Sequence, residues 1–81
     1  MIFMTKLEQY SKLFVDQFKV TPEELPDLKY RGIKLWDSLG HMMLMEAIED
    51  LFDITFATQD VLAFTSYPKG IELLKKYDVH L

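Results

Sequence analysis

An aspartate, a serine and a histidine stand close together at Asp37, Ser38 and His41. These side-chain types can make a nucleophilic triad, in which the acid orients the imidazole and the imidazole takes the serine proton. Their spacing argues against it. All three fall on one turn of one segment, with no separate element to orient the histidine and no glycine-rich loop to hold an oxyanion. Farther along, Glu46, Glu49, Asp50 and Asp53 could face a cation. Neighbouring acids on one helix without opposing ligands make a poor metal site, so no metal is expected. The chain has no cysteine, which excludes disulfides and any thiolate of its own. His41 reads as a surface or boundary residue, and His80 lies near the terminus. Ser38 is left as a plain helix start or a place where something is attached.

The elements that must hold these residues are helices. Phe3, Leu7, Tyr10, Phe14 and Phe18 recur three and four apart and share one helical face. Thr5 with Glu8 forms a capping box, so a first helix is expected over residues 5–18. In Thr21-Pro22-Glu23-Glu24 a cap is followed by a proline suited to the first helical position. Pro26 should stop that element after one turn. A long connection follows, held down by Leu28, Tyr30, Ile33 and Leu35, and loops of this length in small domains are often functional.

A second helix begins at Asp37 or Ser38, either of which can cap. It carries Leu44, Ile48, Leu51 and Phe52 at helical spacing, with Met45 beside them and Glu46, Glu49, Asp50 and Asp53 opposite. Met42, Met43 and Met45 cannot all point inward, so at least one is exposed, and adaptable binding surfaces favour methionine. Thr58 is expected to cap a short helix over residues 59–64. Ser66 or Tyr67 opens the last helix, with Pro68 in its first turn. Ile71, Leu74 and Tyr77 face inward there, and Lys75 and Lys76 sit where the helix dipole favours cations.

The chain has 81 residues, 49% of them hydrophobic, which suits one domain over 1–81 with a modest core. No apolar run is long enough for a membrane span. The opening MIFMTK lacks the basic start and apolar length of a signal peptide, so a cytoplasmic protein is expected. Net charge is −4, unevenly placed. Between Leu35 and Pro68 stand six acids (Asp37, Glu46, Glu49, Asp50, Asp53 and Asp60) and no Lys or Arg. Such a stripe repels nucleic acid and suits a basic protein partner.

Asp-Ser-Leu at the head of an apolar-acidic helix, after a long first loop and before a short third helix and an amphipathic last one, resembles the acyl carrier proteins. The likeness covers nearly the whole chain. The longer run from Trp36 to Met42, with KGIELLKKYDV near the end, is similar to free-standing carriers of specialised or polysaccharide-modifying pathways. Housekeeping fatty-acid carriers usually have acids where Gly40 and Met43 stand, which points away from bulk fatty-acid synthesis.

The resemblance implies an all-α fold, a small four-helix bundle with a long first loop and a short third helix. It implies a carrier and not an enzyme. Ser38, flanked by Asp37 and Leu39, would receive 4′-phosphopantetheine from coenzyme A through a separate magnesium-dependent phosphopantetheinyl transferase. Leu39 and Met43 would offer apolar contact to partners. Glu46, Glu49, Asp50 and Asp53 would meet basic surfaces on acyl-activating, acyl-transferring or condensing enzymes, with the chain itself a monomer. Ile48, Phe52, Val61, Leu62 and Phe64 are expected to line an acyl pocket between the second and third helices. Trp36 is expected to pack over the arm's anchor and narrow that pocket's mouth, which favours a short or polar cargo. The alternative is a helical protein-interaction module without a prosthetic group.

Overall fold

Thr5 starts the first helix as its spacing predicts. Its Oγ1 accepts the Glu8 N–H at 3.1 Å, and the Glu8 carboxylate accepts the Thr5 N–H at 2.8 Å. That contact holds the Glu8 carboxyl below its usual range. The computed structural model describes residues 4–81, so Phe3 lies outside the described residues. Helix α1 spans Lys6–Phe18. Tyr10, Phe14 and Phe18 are buried along one side, whereas Leu7 is exposed.

The segment after α1 corrects one expectation. Pro26 does not stop the element, and a 3₁₀ helix runs over Pro22–Asp27. The first turn closes from Glu24 N–H to Thr21 O at 3.1 Å and the second from Leu28 N–H to Leu25 O at 3.0 Å. Pro26 is the second residue of that second turn, where its fixed φ fits and no N–H is required. Leu25 and Leu28 are buried, Tyr30 and Ile33 half-buried, but Leu35 is exposed.

The rest of the bundle is α2 (Ser38–Phe52), α3 (Thr58–Ala63) and α4 (Tyr67–Lys75). Among the described residues there is no strand beyond an isolated antiparallel bridge of Lys29 with Ser66. That bridge matters for the site. Tyr30 N–H donates to Thr65 O at 2.8 Å and Tyr67 N–H to Leu28 O at 3.0 Å, which pins the long connection to the start of α4. Ala57, not Thr58, caps α3. Side chains from outside secure this connection instead: Phe56 N–H donates to Glu49 Oε2 at 2.7 Å and Ala57 N–H to Tyr77 Oη at 2.8 Å.

The core is rich in rings. Tyr10, Phe14 and Phe18 meet Trp36, Leu44, Met45, Ile48, Phe64 and Leu74. Trp36 is fully buried and stacks on Phe18 at 5.0 Å between centroids, with Phe14 edge-on at 5.7 Å. Each such pair adds about 0.5–1.5 kcal/mol beyond the area it buries. The tryptophan is therefore a core anchor for the loop and not a cover for Ser38. Gly70 permits similar closeness at α4, since a Cβ there would collide with the Phe64 ring and the Tyr10 hydroxyl. Tyr10 Oη donates to Tyr67 O at 2.7 Å, and burial pushes its pKa far above the usual tyrosine value.

Two polar residues expected near solvent are interior. Asp60 is buried: Lys76 Nζ donates to Oδ1 at 2.7 Å and Tyr77 Oη to Oδ2 at 2.6 Å. Those donors, Lys76 first, hold the Asp60 carboxyl below its usual range. Lys76 thus fastens α3 to the end of α4 as well as sitting near a helix terminus. His41 is buried too, because Trp36 and Val61 present complementary polar atoms to its ring.

Candidate functional site

Ser38 is the first residue of α2, and Asp37 precedes it as the cap. The Asp37 carboxylate accepts the Gly40 N–H at 2.8 Å. The serine oxygen is thereby spared the capping duty that serines at helix starts usually perform. Ser38 is exposed, and two side chains of the preceding loop meet its Oγ. Tyr30 Oη lies 3.0 Å away, and Arg31 Nη2 donates from 3.4 Å. The Ser38 hydroxyl first, and then Arg31, holds the Tyr30 phenol below its usual pKa.

The triad does not form. Trp36 Nε1–H donates to His41 Nδ1 at 3.0 Å, so the proton of a neutral ring sits on Nε2, which donates to the Val61 carbonyl at 2.8 Å. Both ring nitrogens are engaged inside the bundle and neither serves Ser38. Among the described residues no cluster of three or more His, Cys, Asp or Glu is placed to hold a metal.

Gly40 explains how the loop approaches the helix so closely. A Cβ at this position would overlap the Leu35 carbonyl oxygen and press on Asp37 Oδ1. Gln17 of α1 also donates to the Gly40 carbonyl at 2.6 Å. The residue that marks a departure from housekeeping carriers is here a packing requirement.

Downstream of Ser38, Met42, Met43 and Glu46 follow Leu39 at three, four and seven residues and share one exposed face with it. Leu39 is 71% exposed and Met43 53%. Met42 is equally open at 56%. Its spacing of three from Leu39 was the signal that would have named it beside Met43.

The sequence of the whole chain matches a known protein. The acyl carrier protein of Syntrophus aciditrophicus (strain SB) is 32% identical over 77 residues, covering 94% of this chain and 96% of that one. The chain belongs to the acyl carrier protein family. No protein-family model matches it, and no solved structure does so either.

In this carrier-family chain the three acids of α2 and Asp53, its C-cap, have separate fates. Glu46, Asp50 and Asp53 are exposed. Glu49 is half-buried and turned onto the Phe56 N–H, so it braces the α2–α3 connection. The residues expected to line an acyl pocket also divide. Ile48 and Phe64 are buried, Phe52 and Val61 half-buried, and Leu62 is 75% exposed. Leu62 points away from any interior between α2 and α3. Phe64 is packed by Phe14, Phe56 and His41.

A groove of about 550 Å³ lies elsewhere, between α1 and the 3₁₀ helix, with Met4, Leu7, Val15, Leu25, Pro26 and Tyr67 among its walls. A smaller cleft of about 290 Å³ opens beside Asp37, walled in part by Arg31, Gly32 and Lys34.

Proposed function

We propose that this chain carries an acyl group as a thioester on a 4′-phosphopantetheine arm attached to Ser38 and presents it to partner enzymes. The observation that carries this is the serine itself. Its hydroxyl is exposed at the start of a 15-residue helix whose cap is supplied by Asp37. The residues present fit the group. Helix N-termini favour anions through their free N–H groups and dipole, and Tyr30 and Arg31 add two side-chain donors. The arm supplies the thiol that a chain without cysteine lacks.

The protein's own residues expose the hydroxyl, favour a phosphodiester there and offer a docking face. Modification forms a bond from Ser38 Oγ to the phosphorus of the pantetheine phosphate and breaks that phosphorus's diphosphate link. The leaving group is 3′,5′-adenosine diphosphate, and the hydroxyl proton passes to the separate transferase. Without a base beside Ser38, activation belongs to that enzyme.

Leu39, Met42 and Met43 offer partners apolar contact next to the arm, and Glu46, Asp50 and Asp53 meet their basic side chains. Exposed pairs of this kind contribute mostly under about 1 kcal/mol each, which suits a carrier that must dissociate. The charges act more on encounter rate than on affinity.

The filled space around Ile48 and Phe64 favours a short or polar cargo held outside the bundle, such as a hydroxy-acyl or aminoacyl group. That fits a specialised-metabolite, lipid or polysaccharide-modifying pathway in the cytoplasm. Incubation with coenzyme A and a phosphopantetheinyl transferase is expected to add one phosphopantetheine by intact mass. Absence of any gain leaves the interaction-module reading. The cargo is tested by melting forms loaded with acetyl to roughly ten-carbon chains. Each buried methylene contributes about 0.8 kcal/mol, so a melting temperature that climbs along the series would overturn the short-cargo reading.

A further inference from the structure

Tyr30 and Arg31 are not accounted for by packing alone. Arg31 has a left-handed backbone, φ 63°, which is uncommon outside glycine. Lys19, Asp53 and Asp78 share that conformation, but the first two end helices and Asp78 lies in the hydrogen-bonded turns that close off α4. Arg31 ends none. Its N–H donates to the Trp36 carbonyl at 2.9 Å, and the Gly32 N–H closes onto Lys29 O at 2.8 Å. This turn points the guanidinium at Ser38. It lies 5.3 Å from the Tyr30 ring centroid, within the range at which a cation is attracted to an aromatic face. The Tyr30 ring in turn rests on buried His41 at 5.2 Å, and its backbone is tied to Thr65. The Tyr30 hydroxyl, on a ring braced by the core, and the Arg31 guanidinium beside that ring thus meet at one exposed oxygen.

We infer that Tyr30 and Arg31 form a clamp for the phosphodiester of the arm, holding its non-bridging oxygens and fixing the direction in which the arm leaves Ser38. The inference rests on the proposed attachment at Ser38. Esterification makes Oγ a poorer acceptor and places two anionic oxygens on the phosphorus bonded to it. Donors 3.0 and 3.4 Å from Oγ need only a small shift to reach them. Hydrogen bonds between ionised partners are the stronger kind, and arginine's planar fork matches a phosphate. Lys29, Arg31 and Lys34 also make this loop the cationic neighbour of a helix that is otherwise acidic. Asp37 is the opposing charge, and its carboxylate is occupied by the Gly40 N–H. Tyr30 and Arg31 are positioning residues, because the transfer chemistry belongs to another enzyme.

The test uses the full chain as wild type, Arg31→Gln, Arg31→Lys, Tyr30→Phe and Lys34→Gln, each loaded to completion by intact mass. Phosphorus NMR of the phosphodiester and melting of the apo and loaded forms are then read at low and high salt. Loading is expected to raise the wild-type melting temperature by about 1–5 °C at low salt. Arg31→Gln loses most of that gain while its apo form melts like the wild type, and its phosphorus resonance is displaced. High salt brings the two resonances together. Arg31→Lys keeps part of the gain, and Tyr30→Phe loses a smaller part. Lys34→Gln removes an equal charge from the loop and leaves both readouts as in the wild type. If Arg31→Gln shares the wild-type resonance and gain, the clamp is overturned and Arg31 is a solvated cation. A wild type that takes up no mass overturns the attachment reading, and the clamp falls with it.

Discussion

Two serines open helices in this protein, and they are used in opposite ways. At the start of α4, Ser66 is the cap itself and its Oγ accepts the Lys69 N–H at 3.1 Å. At the start of α2, Asp37 caps and Ser38 follows it, with its oxygen turned to Tyr30 and Arg31. The difference lies in one preceding residue. A serine that must satisfy a backbone N–H has its acceptor engaged, whereas one placed a step later is left exposed for chemistry. A glycine soon after each start lets a neighbour come close, but the neighbours differ. Gly70 yields to side-chain atoms of Phe64 and Tyr10, and Gly40 to the Leu35 backbone carbonyl.

The largest effect expected from this comparison is on modification. Ser38→Ala should abolish the mass gain with coenzyme A and transferase, while Ser66→Ala loads fully and loses only a cap, about 1 kcal/mol of stability. A full gain in Ser38→Ala would break the contrast. Next comes Gly40→Ala, where the added methyl meets a backbone oxygen that cannot rotate away. Overpacking of this sort costs about 1–3 kcal/mol, or roughly 4–8 °C of melting temperature per kcal/mol in a domain of this size. A Gly40→Ala protein that melts with the wild type would show that the loop yields freely.

A smaller effect is expected on rates. Glu46→Lys with Asp50→Lys should slow transferase loading several-fold at low salt with little change in melting, since both side chains face solvent. Glu49→Gln should act the other way, lowering stability with little change in loading, because its carboxylate holds the Phe56 N–H. Equal loading rates for the reversed and native proteins at low salt would reduce the stripe to a solvated surface.

The smallest effect separates two tyrosines, Tyr30 of the loop, which reaches the start of α2, and Tyr10 of α1, which reaches the start of α4. Tyr30 beside Ser38 is held below its ordinary value of 10.0 by the Ser38 contact and then by Arg31. Tyr10, donating to Tyr67 O, is pushed far above that value by burial. A phenol whose folded pKa is depressed adds stability above 10.0 and loses it as pH falls through its folded pKa. Tyr10, raised instead, takes stability away as pH climbs above 10.0. Ultraviolet titration of the native protein should therefore lose its earliest phenolate step in Tyr30→Phe and keep it in Tyr10→Phe. An unchanged early step in Tyr30→Phe would refute the Ser38 contact.

Much of this architecture was legible along the chain because it depends on neighbours in sequence. The Thr5–Glu8 box, the Asp37 and Ser66 starts and the Tyr10, Phe14 and Phe18 face all follow from spacings of three and four. Pro26 does not end its element because a 3₁₀ turn asks for a different hydrogen bond from the α-helix that a proline ends. Thr58 does not cap α3, and the connection before that helix is secured instead by Glu49 and Tyr77 from other helices and turns.

The sequence by itself determined the helices, the family likeness, the place of Ser38 at the head of α2 and the methionine-rich, acidic face beyond it. Periodicity and local capping need no partner from elsewhere in the chain. Only the tertiary structure decided which polar residues left the surface and which loop side chains reached the serine. Asp60 is buried because Lys76 and Tyr77 come to it from α4, and His41 because Trp36 and Val61 present a donor and an acceptor together. Trp36 fills the core against Phe18 and so cannot cover Ser38. Tyr30 and Arg31 reach Ser38 because a bridge to the start of α4 fixes their loop. A polar side chain can be buried only when the fold brings it a partner, and that meeting has no signature in local spacing.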